Sequence, residues 1–139
     1  MPEFENKIAV VLNKKIEVGR AMNALAHTML GFGANVADKE KLRLIKYTDS
    51  EGNVHANISE MPNVILRGKS GQIQNLRKQA IESKVQFVDF IDTMSMGTYE
   101  EELAITKERK DEDMDYWAIV LFGPFDVITD LTKKFSVYK

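Results

Sequence analysis

Three observations predict an α/β fold. Short β-branched or apolar runs alternate with stretches of helical period along the whole chain. Residues 7–13 and 116–122 are apolar with hardly a break, as in strands covered on both faces. Gly, Pro, Asp and Ser gather between the runs, where turns belong. Two βα units, an inserted hairpin and a final βα unit are expected to form one sheet with helices on both faces.

The elements follow in order. Residues 7–13 form the first strand. Over 17–32 the period changes, and Val18, Met22, Leu25, Met29 and Phe32 recur at steps of three and four, the apolar stripe of a helix that Gly31 and Gly33 end. Residues 42–47 and 53–58 flank Thr48-Asp49-Ser50-Glu51-Gly52, a hairpin with a longer loop. Residues 63–67 are a short strand entered from Pro62. Ser70 caps the next helix, whose stripe is Ile73, Leu76 and Ala80. Residues 85–91 read as a strand, and 92–113 as a long connection with a charged helical stretch after Glu100. After the strand at 116–122, Gly123-Pro124 opens a helix with Asp126 near its start and Lys133-Lys134 near its end. Its core face is Val127, Ile128, Leu131 and Phe135.

At 139 residues the chain is expected to be a single domain over its whole length, 1–139. It has no cysteine, which excludes disulfides, thiolate catalysis and Cys-ligated zinc. A net charge of −2 is not that of a general nucleic-acid binder. The acidic start, Met1-Pro2-Glu3-Phe4-Glu5, lacks the charged and apolar regions of a signal peptide, and no apolar run reaches the ~18–20 residues of a membrane span. A soluble, cytoplasmic protein is expected.

Several residues could carry chemistry. On the first helix Arg20, Asn23 and His27 fall at i, i+3 and i+7, roughly opposite the expected apolar stripe. A cation, an amide and an imidazole thereby share one surface, which can equally be a solvated outer face. Asp92 closes an apolar strand where α/β sheets form their crevices, with Thr93, Ser95 and Thr98 following as hydrogen-bond donors. An Asp there also commonly caps local amides. Gly68-Lys69-Ser70 follows a strand and opens a helix, but a full phosphate loop needs Gly where Asn63 stands, so a weak anion site is the expectation. The two histidines, His27 and His55, lack the spaced carboxylates of a zinc motif, and no Gly-x-Ser-x-Gly elbow occurs.

Residues 7–13 followed by Gly19-Arg20-Ala21-Met22-Asn23-Ala24-Leu25-Ala26-His27 resemble the opening strand and helix of the type II peptidyl-tRNA hydrolases. Val120-Leu121-Phe122-Gly123-Pro124 through Asp130-Leu131-Thr132 resembles that family's ending, and the strand–helix–strand–Asp order of 63–92 is similar too. An uncharacterised family of small proteins related to those hydrolases is closer still, sharing Asn-Ala-Leu-Ala-His and the ending Leu-Thr-Lys-Lys-Phe-Ser. The resemblance implies a three-layer α/β/α sandwich with a four-stranded mixed sheet, to which the 41–58 hairpin is an insertion. It also implies a cleft between the start of the first helix and the end of the third core strand. There Asp92 would orient water, His27 would bind substrate or shuttle a proton, and Arg20 would stand where the family carries Lys. Ala24 replaces the family's Gln, with Asn23 beside it, and Thr98 is offset from the expected threonine.

Two functions are therefore expected. One is a hydrolase acting on an ester or related bond, with His27 and Asp92 catalytic and Arg20, Asn23 and Thr98 binding substrate. The alternative is a non-catalytic module that binds an anion, a nucleotide or a protein in the same cleft. A small anionic ligand or an RNA-linked substrate is the expected partner, without cofactor, metal or membrane. The hairpin makes a homodimer the expected assembly.

Overall fold

A computed structural model describes residues 4–139. The elements are β1 (Asn6–Asn13), α1 (Val18–Asn35), β2 (Leu44–Thr48), β3 (Val54–Ser59), β4 (Asn63–Gly68), α2 (Ser70–Glu82), β5 (Gln86–Ile91), α3 (Tyr99–Glu108), β6 (Tyr116–Pro124), α4 (Phe125–Thr132) and β7 (Ser136–Val137). The main sheet has the order β5-β6-β1-β4-β7. β1 runs parallel to β4 and antiparallel to β6, while β5 is antiparallel to β6 and so points with β1. The C-terminal ends of β1, β4 and β5 therefore lie at one end of the sheet. β2 and β3 form a separate two-stranded ribbon.

The period of two divides the core. Ile8, Val10 and Leu12 of β1 face α1 together with Ala118, Val120 and Phe122 of β6. Ala9 and Val11 face α2 and α4, with Ile119 and Leu121. β1 and β6 are buried on both faces as their unbroken apolar runs require.

Three expectations need correction. The main sheet has five strands, not four: β7 pairs antiparallel with β4, Leu66 opposite Val137 and Arg67 opposite Ser136. The last helix stops at Thr132 to release this strand, so Phe135 packs from the connection and not from a helix. A two-residue edge strand has no period to read.

The third correction concerns α1. Its buried residues are Ala21, Ala24, Thr28 and Phe32, with Leu25 and Met29 half-buried and Val18 and Met22 exposed. The helix is turned by roughly a fifth of a turn from the expected stripe. The sheet offers large residues here, including Phe90, Trp117 and Phe122, so small helix residues fit beneath them. The buried Thr28 hydroxyl is satisfied by donating to the Ala24 carbonyl (3.0 Å) and the Leu25 carbonyl (2.9 Å). Arg20 and His27 thus flank the buried face and do not oppose it.

Gly68 ends β4 where Phe135 crosses it. A Cβ at this position would lie 2.8 Å from Phe135 Cε1 and 3.2 Å from Gln72 Oε1. Gln72 Oε1 already accepts from the Lys69 amide, and Phe135 is held by the Ser136–Arg67 pairing that follows it. Gly68→Ala is expected to lose about 1–3 kcal/mol by overpacking, read as a lower urea midpoint with an unchanged slope.

Candidate functional site

The end of the sheet that holds the β1, β4 and β5 termini also receives the N-termini of α1 and α2. A polar network closes it. Asn13, the last residue of β1, is buried. Its amide donates to the Tyr116 carbonyl (2.9 Å) and to Asp115 Oδ1 (3.2 Å), while its Oδ1 accepts from the Lys15 amide (2.8 Å). Trp117 Nε1 donates to Asp115 Oδ2 at 3.1 Å. The Asp115 amide donates to Asp92 Oδ1 (3.2 Å), and Asp92 Oδ2 accepts from Arg109 Nη1 (2.8 Å). At the same end the Lys14 amide donates to the Gly68 carbonyl (2.9 Å), extending the β1–β4 ladder, and the Tyr116 amide donates to Ser70 Oγ (2.8 Å). Among the described residues no buried side-chain N or O atom lacks a partner.

A row of rings runs along the α1 side. The His27 and Phe90 centroids are 5.7 Å apart, Phe90 stacks on Trp117 at 5.9 Å, and the Arg20 guanidinium lies 5.6 Å from the Trp117 ring. Arg20 and His27 are thereby seated on one surface, about 10 Å apart along the helix. The Arg20 side chain is 59 % exposed, and its ion contact is with the exposed Glu17 at 3.9 Å. Cation–π attraction holds it at the crevice mouth without neutralising it. α1 has no acidic residue in its first turn and no side-chain cap, so its leading amides remain available to an anion. Lys14 and Lys15 lie in the loop just before it, and Lys69 lies at the start of α2.

The expected site residues occupy different settings. Arg20 and His27 share the ring row. Asp92 stands at the end of β5 as read, with its carboxylate engaged by Arg109 and the Asp115 amide. Among the described residues no hydrogen bond or ion pair joins it to Arg20 or His27. Asn23 is exposed on α1. Thr98 caps α3: its Oγ1 accepts from the Glu101 amide (3.3 Å) and donates to Glu101 Oε1 (3.0 Å). Asn13, Asp115, Trp117 and Arg109 escaped the sequence reading. An Asn ending an apolar strand was the one usable signal among them.

Beyond Arg109 a groove of about 680 Å³ continues along the α2 side, lined by Arg77, Asp89, Asp111 and Tyr116 among others. There the Tyr116 hydroxyl donates to Asp111 and holds that carboxyl below its usual range, while burial and the Asp111 hydrogen bond push the tyrosine well up. Among the described residues no group of three or more His, Asp or Glu could hold a metal ion, and no helix is long and apolar enough to cross a membrane.

The model of a family described as "Protein of unknown function (DUF2000)" matches residues 6–139. Among solved structures, a protein of unknown function from Agrobacterium tumefaciens is similar, with a TM-score of 0.83 and 20 % sequence identity over 98 % of this chain and 99 % of that one. Its likeness extends to the fold. No curated protein matches the sequence.

Asp115 is the hub of the crevice. Asp115→Ala removes acceptors from Asn13 Nδ2 and from the Nε1 of the chain's one tryptophan. The expected loss is about 1–3 kcal/mol, the cost of unmet buried donors, with a shift of Trp117 fluorescence reporting the local change. Asp115→Asn keeps one carbonyl acceptor and is expected to lose less.

Proposed function

The chain belongs to the DUF2000 family of proteins of unknown function, and we propose that in this member the crevice at the ends of β1, β4 and β5 binds a small anionic ligand of the phosphate class. The observation that carries the reading is Arg20, a cation fixed over Trp117, more than half exposed, beside the uncapped start of α1. Helix amides and a guanidinium converging at a strand's C-terminal end suit phosphate chemistry. Lys14 and Lys15, and Lys69 at the start of α2, add positive potential at the same end of the sheet. Glu17 is 86 % exposed and reaches Arg20 only at 3.9 Å, so an incoming phosphate displaces it at little cost. Asn13 and Asp115 hold the floor of the crevice still, which lowers the ordering cost of binding. A cytoplasmic location agrees with such a ligand.

A hydrolytic reading of the type II peptidyl-tRNA hydrolase kind, with its three-layer arrangement, rests on a further observation. Asp92 and Asp115 are joined at the crevice, with the largely buried Asp92 carboxylate held by Arg109. In that reading Asp92 orients water, His27 shuttles a proton or binds the RNA-linked substrate, Asn23 and Thr98 lend hydrogen bonds at the rim, and Arg20 holds the developing negative charge. Arg20 cannot exchange a proton near neutral pH, since its pKa is above ~12. Its part is therefore electrostatic.

Binding is tested by thermal denaturation with inorganic phosphate, pyrophosphate and a panel of phosphorylated metabolites. A ligand present at ~100 times its Kd stabilises by about 2.7 kcal/mol, several degrees of Tm. Arg20→Ala is expected to lose most of that shift while keeping its ligand-free Tm. If no anion stabilises the wild type more than Arg20→Ala, the reading falls. For hydrolysis, purified protein is incubated with peptidyl-tRNA alongside His27→Ala; turnover no faster than this variant's ends the catalytic reading and leaves binding intact.

A further inference from the structure

Helix α1 has two apolar faces, and its own chain covers one of them. Ala21, Ala24, Thr28 and Phe32 lie against the sheet. On the other side Val18, Met22, Ala26 and Leu30 recur at every fourth residue, and Val18, Met22 and Leu30 are 59 %, 62 % and 74 % exposed. A helix apolar around most of its circumference belongs in an interior. At its C-terminal end the stripe runs into a groove of about 630 Å³, between Met29, Leu30 and Phe32 on one side and Leu44 and Ile58 of the ribbon on the other.

The ribbon has the same excess. Leu44, Tyr47, Val54 and Ile58 are each about half exposed. The register sets Ile45 opposite Ile58 and Tyr47 opposite His55, which leaves Leu44 and Val54 to the other face, so both faces are apolar in part. β2 and β3 pack on each other far more than on any other element. An isolated two-stranded ribbon is marginal in water.

We propose that this face is the interface of a symmetric homodimer, in which the outer stripe of α1 meets its two-fold copy and each ribbon closes over the partner's α1. Charge, area and shape each select a second copy. Within α1 the ionisable residues are Arg20 and His27, and both lie on the flank that touches Trp117 and Phe90. A two-fold axis sets like charge against like charge, and this stripe carries none, while Lys39 in the groove is turned onto the Gly33 and Ala34 carbonyls. The exposed apolar side chains of the stripe and of the ribbon face bearing Tyr47 and Ile58 leave on the order of 500 Å² uncovered, the larger part of the ~800 Å² each partner gives to a standard stable interface, to which a polar rim adds. A two-fold contact is self-complementary, so it needs a projection and a recess on one chain. The ribbon and the groove beside it are that pair. Ala26, with Gly19 and Gly33 in open surroundings, keeps the stripe low enough for the i±4 ridges of two helices to interlock.

Light scattering and sedimentation equilibrium on the full chain test this. The wild type is expected at twice the 15.8 kDa of one chain. Leu30→Arg and Ile58→Asp change exposed positions, one on the helix and one on the ribbon. Each is expected to give the mass of a single chain with unchanged far-UV circular dichroism. Ile81→Arg, at an exposed position on α2, is expected to remain dimeric. A wild type of single-chain mass at high micromolar concentration overturns the proposal. So does a dimer that survives both substitutions, or one that Ile81→Arg alone dissolves.

Discussion

β1 and β6 lie side by side at the centre of the sheet, antiparallel, with Val10 opposite Val120, and apolar side chains fill both of their faces. Such a pair is stable only when each face is covered, because an uncovered face would expose a row of Val, Ile and Leu to water. That requirement recruits α1 to one side and α2 with α4 to the other. It also fixes where the strands end together. Asn13 and Tyr116 meet across the pair's far end, and the backbone groups there are met by side chains: Asn13 takes the Tyr116 carbonyl and Ser70 takes the Tyr116 amide. The polar crevice is thus the place where a doubly buried sheet pair runs out of backbone partners.

Because the crevice is built from those closing hydrogen bonds, its floor and its mouth differ in character. The floor is hydrogen-bonded internally: Asp115 accepts from Asn13 and Trp117, and Asp92 from Arg109 and a backbone amide. The mouth is left cationic, since Lys14 and Lys15 belong to the β1–α1 connection, and Arg20, in the first turn of α1, is held by an aromatic face. A π surface restrains a guanidinium without consuming its charge. A fixed floor under an unneutralised mouth favours recognition of an anion over burial of one.

The sheet was largely legible because strand burial writes itself as unbroken or alternating apolar runs, and residues 7–13, 63–67, 85–91 and 116–122 all became strands. The Thr48–Gly52 turn likewise marked the ribbon. What escaped has a physical reason in each case. Ser136–Val137 is too short to show a period. The facing of α1 was misread because the helix has more apolar positions than one face can use, and size decided which were buried: Ala21 and Ala24 fit under Phe90 and Trp117, whereas Met22 does not. Asp115 and Asp92 are 23 residues apart, and only the excursion through α3 brings them together, so no spacing rule could pair them. Arg109 is hidden in the same way, as one cation in a charged stretch until the excursion folds back onto β5. Arg20 and His27 were placed on a common surface by helical period alone, and the rings beneath them came from tertiary structure.

The misread stripe also links the two ends of the molecule. In one helix, the flank bearing every ionisable group borders the crevice, while the opposite flank is apolar and uncharged over its whole length. At 62 % and 74 % exposure, Met22 and Leu30 contribute little to the folding of a single chain. Sequence economy within a single chain therefore does not account for Val18, Met22 and Leu30. The proposed partner copy would cover them. Packing of Ala21, Ala24, Thr28 and Phe32 against the sheet fixes the rotation of α1, and that one rotation sets Arg20 beside Trp117 and turns the outer stripe to water. The apolar flank and the cationic mouth are coupled through one rigid helix of 18 residues, so the helix that leaves an apolar face uncovered is also the one that positions the crevice's principal cation.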